Sequence, residues 1–250
     1  MQLSETATVV TGGASGLGAA VARHFRTKGG AVTIFDRDEA NGTILAAEIG
    51  ATFCAVDVTD GPSVAAGVAV AVQAMGKISA LVNCAGIVTG AKIVGREGPH
   101  DLAQFRRTVD VNLTGTFNCL RLCAAEMARN PSVEGERGVI VNTASVAAFD
   151  GQKGQAAYAA SKAGIAGMTL PAARDLAGNG IRICAIAPGV FLTPMLEGLG
   201  PELQESLAAE VTFPRRLGRP GEFAALAGFI VECGYLNGEV IRLDGALRMR

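Results

Sequence analysis

"VVTGGASGLGAA", residues 9–20, passes from a β-branched run into an alanine-rich stretch through four glycines in seven positions. The run "ATVVT", 7–11, has the composition of a strand, and the residues after Gly18 have that of a helix. Glycines at 12, 16 and 18 allow a sharp turn between the two and a close approach of other groups to the backbone. Strand, tight turn and helix in that order are the opening of a βαβ unit, so a further strand should follow and lie parallel to the first.

It does follow, repeatedly. Short apolar runs recur at 31–36 ("AVTIFD"), 52–57 ("TFCAVD"), 80–86 ("ALVNCAG"), 138–145 ("GVIVNTAS"), 181–189 ("IRICAIAPG") and 239–245 ("EVIRLDG"), with alanine-rich stretches of helical period between them. The runs are continuously apolar rather than alternating, as strands covered on both faces must be. The expected architecture is one α/β domain over 1–250, a Rossmann-type doubly wound parallel sheet of about seven strands with helices on both faces. Segments 87–101, 129–137 and 191–219 are longer than such connections need. Ligands in these sheets bind beyond the carboxyl ends of the strands, so 87–101 and 191–219 are the candidate substrate loops.

Composition narrows the function. The chain has 250 residues, 49% of them apolar, and a formal charge of −1 with acids and bases interspersed, so no basic surface for nucleic acid is expected. No apolar run approaches the ~18 residues of a membrane span, and the first strand pattern begins too early for a leader, which predicts a cytoplasmic protein with no membrane partner. Six cysteines without a C-x-x-C pair suit reduced, buried thiols, with Cys119 and Cys123 one helical turn apart. Only His24 and His100 are present, so neither a histidine-rich metal site nor a histidine-dependent hydrolase is expected.

The glycine turn then acquires a ligand class. Backbone N–H groups at the start of a helix, aided by its dipole, suit a pyrophosphate, and Gly12, Ser15, Gly16, Leu17 and Gly18 surround that point. The second strand run ends in Asp36, where a carboxylate can accept from both hydroxyls of an adenosine ribose and would repel a 2′-phosphate. Arg37 beside it could instead attract that phosphate. NAD is the expected cofactor, ahead of its phosphorylated counterpart.

"AAYAASKAG", 156–164, sets Tyr158 four residues before Lys162 among small side chains. On a helix this spacing puts phenol and ammonium on one face. Alone, the pair would be an ordinary core tyrosine beside a surface lysine. Its company argues otherwise: TGGASGLG at 11–18, Asp57-Val58, NCAG at 83–86, Asn112, Ser145, Tyr158-x-x-x-Lys162, and Pro188-Gly189 with Thr193 together resemble the short-chain dehydrogenase/reductase family over the whole chain. The one departure is Cys84, where that family usually has a second asparagine.

The resemblance implies roles. Tyr158 would be the general acid/base, its phenolate taking the hydroxyl proton as a hydride passes to the nicotinamide. A free phenol titrates near 10, so Lys162 and the positive nicotinamide would lower it by about two to three units, roughly 3–4 kcal/mol. Ser145 would bond the substrate oxygen, and Asn112 would help hold Lys162. Asp57, Val58, Asn83, Ala85, Gly86, Pro188, Gly189, Val190 and Thr193 would complete the cofactor site, with Thr193 on the carboxamide or simply capping the following helix.

The stretches 142–177, 213–220 and 236–250 resemble the branch of the family that oxidises 3-hydroxyacyl-CoA thioesters, some of whose members also accept hydroxysteroids. An acyl-CoA substrate is therefore expected, with other secondary alcohols as the alternative and a non-catalytic nucleotide-binding protein as a distant one. Gln152 and Gln155 could donate to a thioester carbonyl. Lys92, Arg96, Arg106 and Arg107 could meet the CoA phosphates, or be solvated charge balanced by Glu97 and Asp101. The family also implies a homotetramer, which the alanine- and glycine-rich helix around Tyr158 would suit.

Overall fold

The computed structural model describes residues 1–96, 98–198 and 200–249. Seven parallel strands form one sheet: β1 (Ala7–Thr11), β2 (Ala31–Asp36), β3 (Thr52–Ala55), β4 (Ala80–Asn83), β5 (Gly138–Thr143), β6 (Ile181–Pro188) and β7 (Val240–Leu243). Their spatial order is 3-2-1-4-5-6-7. The helices are α1 (Gly16–Thr27), α2 (Glu39–Ile49), α3 (Gly61–Met75), α4 (Leu102–Val109), α5 (Gly115–Met127), α6 (Ala156–Ala177), α7 (Pro194–Glu197), α8 (Pro201–Ala209) and α9 (Pro220–Glu232). This is the doubly wound architecture expected from the strand pattern. Five of the seven expected runs reach one to three residues beyond their strands, because the turns at the strand ends begin there.

Alternation within the strands supplies both faces. Val9, Leu81, Ile140 and Ile183 lie in one register row across β1, β4, β5 and β6 and pack under α3, α5 and α6 with Val64, Val68, Leu120 and Met127. Val10, Val82, Val141 and Cys184 form the next row and meet Val21, Phe25, Phe223 and Ile230 of α1 and α9 on the other side. Each such side chain gains roughly 1.5–3 kcal/mol from burial, so a one-residue slip, which exchanges the two rows, would have to repack both layers. Local chemistry sets the helix starts: Asp38, Asp60 and Asp101 accept from the N–H groups of Asn41, Ser63 and Ala103. Gly50 and Gly76 end α2 and α3 in the left-handed conformation.

The long connections differ in kind. Within 87–101 a short antiparallel ladder pairs Val94–Gly95 with Gly98–Pro99, while 191–219 contains α7 and α8; Glu97 and Leu199 lie outside the described residues. Segment 129–137 leads into β5 and sits at the amino ends of the strands, where Asn130 donates to Ile78 O and Glu136 pairs with Arg182. A cavity of about 630 Å³ opens there, away from the glycine turn, lined by Ser79, Asn130, Glu136 and Arg182 among others. Among the described residues, no helix is long and apolar enough to cross a membrane, and all six cysteines are unpaired.

Candidate active site

The order of strands reverses between β1 and β4, and the crevice at their carboxyl ends is where such sheets bind nucleotides. Gly12, at φ +62°, has no space for a side chain: a Cβ would lie 2.7 Å from Ala85 Cα. A Cβ on Gly18 would lie 2.2 Å from Gly12 O, so turn and helix pack backbone on backbone. Ser15 is the N-cap of α1 but its hydroxyl caps nothing, and among the described residues no side chain accepts from the first-turn N–H groups of Gly16, Leu17 and Gly18. The cradle is therefore open to an anion. Thr193 faces it, its Cγ2 3.6 Å from the Cβ position of Gly16, and makes no cap bond to α7, the alternative role the sequence left open.

Asp36 ends β2 with both carboxylate oxygens engaged once, Oδ2 by Ala14 N at 3.0 Å and Oδ1 by Asp38 N at 3.1 Å. Each oxygen keeps a free lone pair, enough for two ribose hydroxyls. Arg37 turns instead to Asp57, with Nε 3.7 Å from Oδ2. Asp57 also accepts from Thr59, and those bonds hold its carboxyl below the usual range. Val58 is buried, and its carbonyl accepts from Asn118.

Asn83 ends β4. Its amide is buried, donating to Asn142 Oδ1 at 2.9 Å and accepting from Thr11 Oγ1 at 3.2 Å, while Thr11 Oγ1 accepts from the N–H groups of Cys84 and Ala85. Asn83 thus braces the turn 84–86 through Thr11. At the far side Pro188 ends β6, Gly189 N donates to Leu243 O, and Val190 O accepts from Gly218 N.

The catalytic candidates converge from β5, α6 and the segment between α4 and α5. Ser145 follows β5 as cap of a short 3-10 turn, its Oγ accepting from Ala147 N at 3.1 Å. Tyr158 is in the first turn of α6, and Lys162 Nζ lies 5.8 Å from its ring centroid. The Lys162 ammonium donates to Thr143 O at 2.7 Å. Asn112 occupies a π-helical turn, Asp110–Thr114, that shifts the helix between α4 and α5. Its amide exchanges two hydrogen bonds with the Ile87 backbone and donates to Ser161 Oγ, which itself donates to Tyr158 O. Asn112 Oδ1 and Lys162 Nζ both approach Gly86, at 3.2 Å and 3.7 Å from its Cβ position. The direct bond to Lys162 comes from Thr143 O, and Asn112 bonds Ile87 and Ser161 beside it.

Burial governs the charges. It lowers Lys162 to about 8 and raises Cys84, its neighbour, to about 12. Tyr158 is raised as well, with the Ser145 hydroxyl opposing. The lowering expected of the phenol was assigned to Lys162 and the positive nicotinamide together, and burial works against it.

The chain matches the short chain dehydrogenase family over residues 6–204. It belongs to that family. This short-chain dehydrogenase is therefore an oxidoreductase. It is 50% identical over 99% of both chains to 3-hydroxyacyl-CoA dehydrogenase type-2 of Drosophila melanogaster. Among solved structures it resembles 3-hydroxyacyl-CoA dehydrogenase type-2 from Mycobacterium avium, with TM-score 0.94 and 46% identity over 97% of this chain and 96% of that one. It also resembles a 7α-hydroxysteroid dehydrogenase complexed with NADH and 7-oxo glycochenodeoxycholic acid, with TM-score 0.90 and 28% identity over 100% and 96%.

Gln152 and Gln155, between Ser145 and Tyr158, are partly engaged with each other, Gln155 Oε1 accepting from Gln152 N at 3.0 Å. Lys92, Arg96, Arg106 and Arg107 are exposed. Asp101 caps α4, accepting from Ala103 N at 2.9 Å. Thr143 and Ser161 were not anticipated: one acts through a backbone carbonyl, which leaves no trace in sequence, and the other is one of many small residues in α6. Thr11 could have been noticed as the hydroxyl directly before the glycine turn.

Proposed function

We propose that the protein is an NAD-dependent dehydrogenase that interconverts a 3-hydroxyacyl-CoA and a 3-oxoacyl-CoA, with Ser145, Tyr158 and Lys162 as its catalytic residues. The observation that carries the reading is the convergence of a buried lysine, a tyrosine and a strand-end serine on the crevice opened by the glycine turn. Relatives that carry this dehydrogenase name match the chain end to end, which supports the thioester over other alcohols.

The dinucleotide would be held by the first-turn N–H groups of Gly16, Leu17 and Gly18, by Asp36 at the ribose, by 85–86 and 188–190 along its length, and by Thr193 at the carboxamide. Asp36, with Arg37 drawn away to Asp57, favours NAD over its 2′-phosphorylated form. When bound, oxidised NAD supplies the hydride acceptor and a positive charge near Tyr158. Ser145 Oγ–H donates to the substrate oxygen and holds it beside the phenol. Tyr158 Oη takes the hydroxyl proton in oxidation and returns it in reduction. Lys162, anchored to Thr143 O, places a cation on the ring and favours its ionised form.

The chain would act as one domain, with 87–101 and 191–219 walling the substrate and Gln152 and Gln155 reaching the thioester. Exposed Lys92, Arg96, Arg106 and Arg107 would meet the CoA phosphates. Exposed Ala156, Ala160, Ala163 and Gly167 on α6 and Phe117 on α5 suit the packing of a homotetramer in the cytoplasm. The test is NADH oxidation by acetoacetyl-CoA with the native protein and with Tyr158→Phe. The variant should lose turnover by about 100-fold or more and bind NADH within twofold of the native protein. A tenth of native turnover in the variant would exclude Tyr158 as the proton-transfer group.

A further inference from the structure

Arg242, in β7, reaches the loop between Ser145 and Tyr158 from 92 residues away in sequence. Its Nη2 donates to Asp150 Oδ2 at 2.5 Å and to Leu247 O at 3.0 Å, and its Nε donates to Asp244 Oδ2 at 2.8 Å. The guanidinium carbon lies 5.5 Å from the Phe149 ring centroid. Asp244 receives a second cation, Arg248, at 3.1 Å, so two arginines face two aspartates. Asp244 also touches the other side of the site: a Cβ on Gly189 would lie 2.9 Å from Asp244 Cβ, and Gly189 N donates to Leu243 O at 2.9 Å. The end of β7 therefore supports the loop 149–155 with one hand and the turn 188–190 with the other.

We propose that Arg242 is a positioning residue that sets the affinity for substrate by clamping Asp150, and with it the loop 149–155, against the turn at Gly189. The inference rests on the proposed reading of those two segments as the substrate and nicotinamide sides of the site. The bonds that remain without the clamp hold the two ends of the loop. Phe149 and Asp150 both donate to Val146 O and keep the turn that presents Ser145, and Gly154 O accepts from Ala91 N at the other end. Gln152 and Gln155 also keep the bonds they make to each other at the start of α6, so Gly151 and Lys153 would be released while Ser145, Tyr158 and Lys162 stay in place. Arginine suits the task because its planar fork engages Asp150, Asp244 and Leu247 O at once, which an ammonium at that distance cannot do.

Lys153 is exposed within the loop, so trypsin cleavage after it reports loop order without reference to any substrate. The experiment compares the native protein, Arg242→Met, Asp150→Asn and the double variant in cleavage after Lys153, NADH affinity, and kcat and KM for acetoacetyl-CoA. Each single variant should raise the cleavage rate and KM by about five- to tenfold, with kcat and NADH affinity within twofold, and the double should be no worse than either single. Unchanged cleavage, additive effects in the double, or kcat and NADH affinity falling with KM would overturn the proposal. If the native protein reduces no acyl-CoA, the substrate reading fails, and the cleavage rates alone then decide the clamp.

Discussion

At Tyr158 and Lys162 the fold opposes charge on both members of the pair, raising the phenol above 10.0 and lowering the ammonium from 10.5 to about 8. The lysine's shift has a stability consequence. Between pH 8 and 10.5 the unfolded chain binds the proton that the folded chain has lost, so native stability gains with pH across that window, by about 3 kcal/mol in total. Denaturant unfolding of native protein and Lys162→Met should show their difference moving by that amount in favour of the native protein from pH 7 to 10.5. A constant difference would mean that Lys162 is not held in a charge-averse site. For the tyrosine, the account assigns the missing stabilisation to the oxidised cofactor. The chain has two tyrosines and no tryptophan, so Tyr235→Phe leaves Tyr158 as the sole source of tyrosinate absorbance. Without cofactor its midpoint should lie above 10.0, and NAD+ should lower it by roughly two to three units. A midpoint insensitive to NAD+ would remove Tyr158 as the base.

Among the elements, the end of β2 is the proposed selector of the dinucleotide. Asp36→Ala removes the carboxylate proposed to face the ribose and repel a 2′-phosphate, so NADH affinity should fall by about tenfold or more while NADPH affinity holds or rises. Direct titration of both cofactors checks this, and an unchanged ratio would place ribose recognition elsewhere. The strand runs, the glycine turn and this aspartate were legible in the sequence because each rests on local rules: apolar runs for strands, glycine for a close turn, a carboxylate at a strand end. The π-helical turn around Asn112 was not legible, since no residue type demands it. Nor was Lys162 on Thr143 O, because every residue offers a carbonyl. The pairing of Arg242 with Asp150 spans the fold and depends on where β7 ends relative to the loop after β5, which only tertiary structure determines.

For the whole molecule, seven parallel strands direct their carboxyl ends to one crevice, and the loops expected to choose the substrate, 87–101 and 191–219, both leave from that end. The 630 Å³ cavity at the opposite end is lined by groups already bonded to one another: Arg182 donates to Glu136 and to the carbonyls of Ile230, Val231, Cys233 and Leu236, closing the end of α9. The proposed chemistry and specificity both lie at the crevice. The most direct measurement of that claim is the rate of NADH oxidation with acetoacetyl-CoA, free acetoacetate and a bulky cyclic ketone under one set of conditions. The account predicts efficient turnover of the thioester, with kcat/KM for the other two lower by about 100-fold or more. Equal turnover of all three, or preference for the cyclic ketone, would contradict it.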